Sequence, residues 1–189
     1  MITGWRRPFP LFVLGALLYA ATVVLCLTQA GADSVLSVLE LLVPLFGLPY
    51  LLLGGRFGWT SALYLLLLVP AFHVLAVAAA IRSTNWSGSG LQPGLVGGLA
   101  GALLSFAALF ALRLARPRSL LLMAVGTGVL TLLGGFGIWK MDILAGTPLD
   151  DYGLLLVLYL PWQIAFGFFL SRVMRAPVEI GLAAEPAPA

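Results

Sequence analysis

The sequence predicts an all-α, polytopic membrane bundle of six transmembrane helices with both termini cytoplasmic. Three observations carry that expectation. The 189-residue chain is 61% hydrophobic and only 9% charged, with a mean hydropathy of +1.09, whereas a soluble domain carries about 25% charged residues. Its apolar residues fall into six runs of about twenty, the length an α-helix needs to cross about 30 Å of hydrocarbon. The basic residues between the runs alternate in number. Arg6, Arg7, Arg56, Arg113, Arg116, Arg118, Arg172 and Arg175 share one side, and Arg82 and Lys140 the other, beside Asp33, Asp142, Asp150 and Asp151. That positive-inside asymmetry sets the orientation and points to the cell (inner) membrane. A β-barrel does not fit, because the runs are about twice the length of a barrel strand.

The first span is expected over residues 9–27. Arg6-Arg7 before it and Thr28-Gln29-Ala30 after it give the outline of a signal peptide, but the run exceeds the usual apolar core of about 7–15 residues. Cys26 follows Leu25 rather than a small residue, so no lipoprotein signal is present and the helix is expected to be retained. The second span covers 35–53 and carries Glu40 and Pro44; the third covers 59–81 and carries Pro70 and His73. The fourth, 95–114, repeats small residues at Gly94, Gly98, Ala102 and at Gly97, Gly101, a spacing that lets helix backbones approach closely. The fifth, 120–139, holds Gly126, Gly128, Gly134, Gly135 and Gly137 with Thr127 and Thr131; the sixth, 152–170, carries Pro161 and Gln163. Trp5, Tyr50, Trp59, Trp86, Trp139 and Tyr152 lie near the span ends, where amphipathic rings settle at the headgroup level. Residues 1–175 thus form one transmembrane domain, and 176–189, rich in Ala and Pro, read as a disordered cytoplasmic tail.

Chemistry is concentrated near mid-membrane. Pro44, Pro70 and Pro161 lie 11, 12 and 10 residues from Asp33, Arg82 and Asp151, which places all three about 15–18 Å below the outer surface. Each removes a backbone donor and frees a carbonyl, so three helices bend at one level. Glu40 and His73 sit slightly outward of that level, about 10 and 13 Å deep. They lie on consecutive antiparallel helices and are expected either to pair or to face a wet cavity. An intramembrane charge costs about 2.5–3.5 kcal/mol on insertion scales, so the two are expected to form a structural hydrogen-bonded pair, to handle a ligand or proton, or, for Glu40, to reach the outer interface. Gly134 and Gly135 offer a hinge or a close approach at the same depth, and Gly94, Gly97, Gly98 and Gly101 a packing face. Gln163, about 18 Å down the sixth helix beside Tyr159 and Trp162, needs a partner.

Other chemistry is absent. One His and one Cys cannot build the usual zinc or haem site, so no metal or cofactor is expected. No phosphate-binding loop or nucleophile elbow is present, and Ser105 has no base at its depth, so the chain is not expected to be an enzyme. The basic stretches lack interleaved aromatics, which excludes nucleic acid. The lipid bilayer is the expected partner, with a second membrane subunit or a small-molecule ligand beside it. A six-span chain with both ends cytoplasmic is similar in outline to the substrate-binding components of energy-coupling-factor vitamin transporters. Ala16-Leu17-Leu18-Tyr19-Ala20 looks like the small-xxx-small contact by which those components dock a membrane partner, though no substrate-binding signature accompanies it. The expected function is a binding or transport-type subunit, or a transporter-associated one, with an outward-facing cavity between proline-kinked helices. The alternative is a non-catalytic structural or assembly subunit, and an intramembrane enzyme ranks third.

Overall fold

The computed structural model describes residues 8–30, 35–54, 58–84, 91–116 and 118–175. Trp5, Arg6, Arg7, Asp33, Arg56, Trp86 and the expected tail at 176–189 lie outside the described residues. Among the described residues the chain is helical, with one isolated bridge between Ala115 and Met174. Five helical stretches are long and apolar enough to cross a membrane: Pro8–Gln29, Trp59–Ser83, Leu91–Ala111, Leu120–Trp139 and Asp150–Val173. Length and composition make this a multi-pass membrane protein. Exposed Leu14, Leu17, Leu25, Leu121 and Leu132 are the lipid-facing residues such a surface needs.

Helix α1 runs Pro8–Ala30. The second run is not the continuous helix expected over 35–53. It breaks into α2 (Val35–Leu41), a 3₁₀ turn at Val43–Phe46 and α3 (Leu48–Leu53). Pro44 cannot donate to the carbonyl of Glu40, nor Pro49 to that of Leu45, and Gly47 between them supports neither helix well. Two missing donors five residues apart leave no room for an unbroken ladder.

The three pieces still run as one rod alongside α1. The Tyr19 hydroxyl donates to Leu39 O at 3.0 Å, just before the ladder breaks. Gly15 lies against the carbonyl of Phe46, where a Cβ would collide with backbone. Phe12 stacks on Tyr50 with ring centroids 4.8 Å apart, and a Cβ on Gly54 would sit 3.5 Å from Leu11 Cδ1. Positions 19, 15, 12 and 11 thus meet 39, 46, 50 and 54 in antiparallel order.

The next long stretch starts with α4 (Trp59–Leu63), widens to a π-helical stretch at Tyr64–Leu68, and continues as α5 (Val69–Ser83). Helix α6 spans Leu91–Ala111 and α7 spans Leu120–Trp139. The last crossing opens with a short 3₁₀ turn at Asp150–Tyr152, passes through a second π-helical stretch at Leu154–Tyr159, and ends as α8 (Leu160–Val173). Both π stretches end two residues before a proline. The ring of Pro70 would clash with the carbonyl of Leu66, and that of Pro161 with the carbonyl of Val157. A wider turn moves those carbonyls aside: Val69 N–H donates to Tyr64 O and Leu160 N–H to Leu155 O, each five residues back.

Helix α6 packs on α7 and α5, while α8 packs on α1 and α7. In lipid such contacts come from close packing rather than from exclusion of water. A Cβ on Gly98 would stand 2.7 Å from Leu130 O, and one on Gly134 would stand 3.0 Å from Gly98 Cα. Gly94, Gly98 and Gly134 therefore let two backbones touch. Ala16 and Ala20 of α1 are buried within this chain's own core, at 0% and 9% exposure, so their small-residue spacing serves an internal contact rather than a docking face.

At the arginine-rich end the chain leaving α6 is tied to the end of α8. Arg116 N–H donates to Val173 O at 2.9 Å and Arg175 N–H to Leu114 O at 2.8 Å. The turn into this clasp is a Schellman motif. Leu114 N–H donates to Leu109 O and Arg113 N–H to Phe110 O, which puts Arg113 in the left-handed region at φ 57°.

Candidate functional site

A cavity of about 400 Å³ lies between α5, α6, α7 and the last crossing, within the range of small-molecule sites. Its wall on α5 runs from Val69 through His73, Ala76, Val77 and Ala80 to Thr84; on α6 it runs from Pro93 to Ser105. Tyr159, Trp162, Gln163 and Phe166 line it from the last crossing at i, i+3, i+4, i+7 spacing, so they share one face. Phe46, at the end of the 3₁₀ turn, closes the floor with Phe166, each 1% exposed. Ile81 and Thr84, both exposed, mark the mouth at the end that carries Arg82 and Lys140.

The floor is aromatic. Phe46 and Phe166 stack at 5.9 Å, Phe166 and Trp162 at 5.1 Å, and Phe12 joins the column at 5.4 Å from Phe46. The indole N–H of Trp162 donates to Leu130 O on α7 at 3.2 Å, which fixes the ring's orientation. Tyr64, fully buried beneath, donates its hydroxyl to Ser105 O at 3.0 Å and ties the π-helical stretch to α6.

Two polar atoms stand out in this apolar setting. His73 Nε2 and Gln163 Oε1 are buried and have no hydrogen-bond partner, and both residues line the cavity. Gln163 is 5% exposed. A buried polar atom left unpaired costs about 1–3 kcal/mol, so unpaired groups in a native fold point to a role beyond packing.

The residues singled out from the sequence divide accordingly. His73 and Gln163 come together in one cavity. Glu40, half-buried, does not line it, and no hydrogen bond or ion pair joins Glu40 to His73 among the described residues. Both converge on Tyr159 instead: the His73 ring lies 5.0 Å from the Tyr159 ring, and Glu40 is within electrostatic reach of the same residue. Pro44 opens the 3₁₀ turn, while Pro70 and Pro161 each follow a π-helical stretch. None of the three touches the cavity. Gly94, Gly97, Gly98, Gly101 and Gly134 line it; Gly135 faces Leu95 of α6. Thr127 and Thr131 donate to carbonyls of their own helix, Met123 O and Thr127 O, and offer the cavity nothing.

Sequence reasoning missed Phe46, Phe166, Ala76 and Ala80. The helical spacing of Tyr159, Trp162, Gln163 and Phe166 was the available signal for Phe166, since a polar residue at its centre shows that the aromatic face is not lipid-facing. Among the described residues no three of His, Cys, Asp and Glu gather as a metal-ligand set would. No protein-family model, curated protein or solved structure matches the chain, and the site stands on its own geometry.

Proposed function

We propose that this protein is a small binding or transport-type subunit of the inner membrane, and that its cavity accepts a predominantly apolar small molecule from the outward side. The observation that carries this reading is the placement of His73 Nε2 and Gln163 Oε1, both buried and unpaired, in one aromatic-floored cavity. Apolar walls with a few convergent polar groups are the usual construction of a ligand site.

In this reading the broken segment 35–53, antiparallel to α1 along its length, completes a sixth crossing. The arginine-rich end with both termini faces the cytoplasm, so the mouth near Thr84 faces outward. Cys26 is the one cysteine, so a Cys26→Ser background accepts single reporter cysteines. Membrane-impermeant thiol reagents applied to intact cells are expected to label Trp86→Cys and to spare Ala183→Cys. Reversed labelling would overturn the orientation.

The binding reading is tested by screening the purified full chain in detergent for thermal stabilisation by apolar and amphipathic small molecules, with Val77→Phe as the cavity-filling control. Stabilisation of the parent that disappears in the filled variant is the expected result. Equal shifts in both proteins, or none in either, would remove the reading. Copurification of a stoichiometric membrane protein whose loss destabilises the chain would favour an assembly subunit instead.

A further inference from the structure

We infer that the ligand is an uncharged, hydroxyl-bearing amphiphile that enters head first, its polar group at the floor and its hydrocarbon tail toward the mouth; this rests on the binding reading above. The shape comes first. The α5 wall alone extends from Val69 to Thr84, which at 1.5 Å per residue is about 22 Å. A sphere of the cavity's volume would be less than half as wide, so the space is a long slot. A slot of that form takes a chain and excludes a compact polar solute.

Polarity along the slot is one-sided. His73 is four residues from Val69 and Gln163 three from Phe166, so both unpaired atoms lie within about 6 Å of the closed end. Toward the mouth the walls are Ala, Val, Ile, Leu and Gly, and the Thr84 hydroxyl is already donated to Ile81 O at 2.6 Å. A leaflet lipid holds its headgroup at the surface and its tail inward. This slot asks for the reverse.

The head's charge and donor pattern follow from the same residues. No Lys, Arg, Asp or Glu is among the described lining residues. Glu40, within electrostatic reach of Tyr159, adds negative charge, so a carboxylate or phosphate head would lose its hydration without meeting a cation. Gln163 Oε1 accepts and needs a donor. A neutral imidazole nitrogen either donates or accepts according to tautomer. A hydroxyl does both: its one proton satisfies Gln163 Oε1 while its oxygen accepts from His73 in the Nε2–H tautomer. The aromatic floor of Tyr159, Trp162 and Phe166 adds a stacking surface for a ring-bearing head.

The experiment compares para-alkylphenols, their methyl ethers, straight-chain alkanols and para-alkylbenzoates by equilibrium binding to the full chain in lipid nanodiscs. Phenols are expected to bind about ten- to hundredfold tighter than their ethers, because the ether leaves Gln163 Oε1 without a donor. Benzoates at neutral pH should bind more weakly still. Lengthening the tail should strengthen binding until the tail reaches the mouth and then level off. In Gln163→Met the phenol and ether should bind alike, whereas His73→Phe should weaken both and leave the gap between them in place. Alkanols that match the phenols would assign an aliphatic alcohol, and alkanols that fall short a ring-bearing one; both outcomes support the hydroxyl head. Binding without preference for phenol over ether in the parent, or tighter binding of benzoates, would overturn the inference and leave the binding reading standing. Binding of no member, with Val77→Phe indistinguishable from the parent, would sink that reading as well.

Discussion

Replacing Gln163 with methionine is expected to stabilise the ligand-free protein. The side chain is 5% exposed and its Oε1 has no partner, so the folded state carries a desolvation cost of about 1–3 kcal/mol there. Methionine keeps the unbranched shape, fills the same place beside Trp162 and removes the unpaired acceptor. For a chain of this size each kcal/mol moves the midpoint by about 2–4 °C, so the variant should melt about 2–12 °C higher. Thermal unfolding of the detergent-solubilised full chain, followed by intrinsic fluorescence and repeated at two protein concentrations, reads the shift. The same preparation, titrated with the best ligand from the screen, should gain less on binding than the parent does. A midpoint lower by several degrees would refute the reasoning, because it would mean that Oε1 has a partner in the protein and that the floor of the slot is already satisfied.

Three further outcomes follow from the packing. Gly134→Ala should cost about 1–3 kcal/mol, since the new methyl would stand 2.5 Å from Gly94 O, whereas Gly128→Ala, with open space around it, should be neutral or gain up to about 1 kcal/mol from helix propensity; paired melting curves separate the two. Tyr19→Phe should lose about 1–3 kcal/mol by leaving the buried carbonyl of Leu39 without its donor, with faster hydrogen exchange confined to residues 38–46. Arg113→Gly should raise the midpoint by relieving a left-handed residue worth about 1–2 kcal/mol, and a fall would show that the Arg113 side chain contributes more than its backbone costs.

Much of the bundle was legible because the bilayer imposes a length and arginines mark one side. The fifth helix ends at Leu120 and Trp139 in both the reading and the structure, since Arg118 and Lys140 bound an uninterrupted apolar run. The second run misled for a physical reason. Hydropathy averages over side chains and is blind to backbone donors, so a stretch with Pro44, Gly47 and Pro49 scores as a span while its ladder cannot close. Glycines were legible by spacing but not by face. Gly94 and Gly98 meet α7, while Gly97 and Gly101, one residue round, meet Ala76 and Ala80 of α5. Depth arithmetic placed Glu40 opposite His73, yet depth gives no azimuth. The π-helical stretch before Pro161 lies in the segment that brings Tyr159 beside His73 and Gln163 into the same cavity, and nothing in residue spacing alone predicts that widened turn.

The two backbone bonds that tie Leu114 and Arg116 to Val173 and Arg175 make the arginine-rich end a fulcrum. The mouth side of α6 begins at Leu91, about 30 Å away along the helix. Tilting α6 against α8 about that pivot by about 5° would part their far ends by nearly 3 Å while leaving the pinned residues in register. On the proposed binding reading, such tongs would admit a guest by spreading their tips, and an engineered cross-link between the tips would lock a bound molecule inside without touching the groups that hold it.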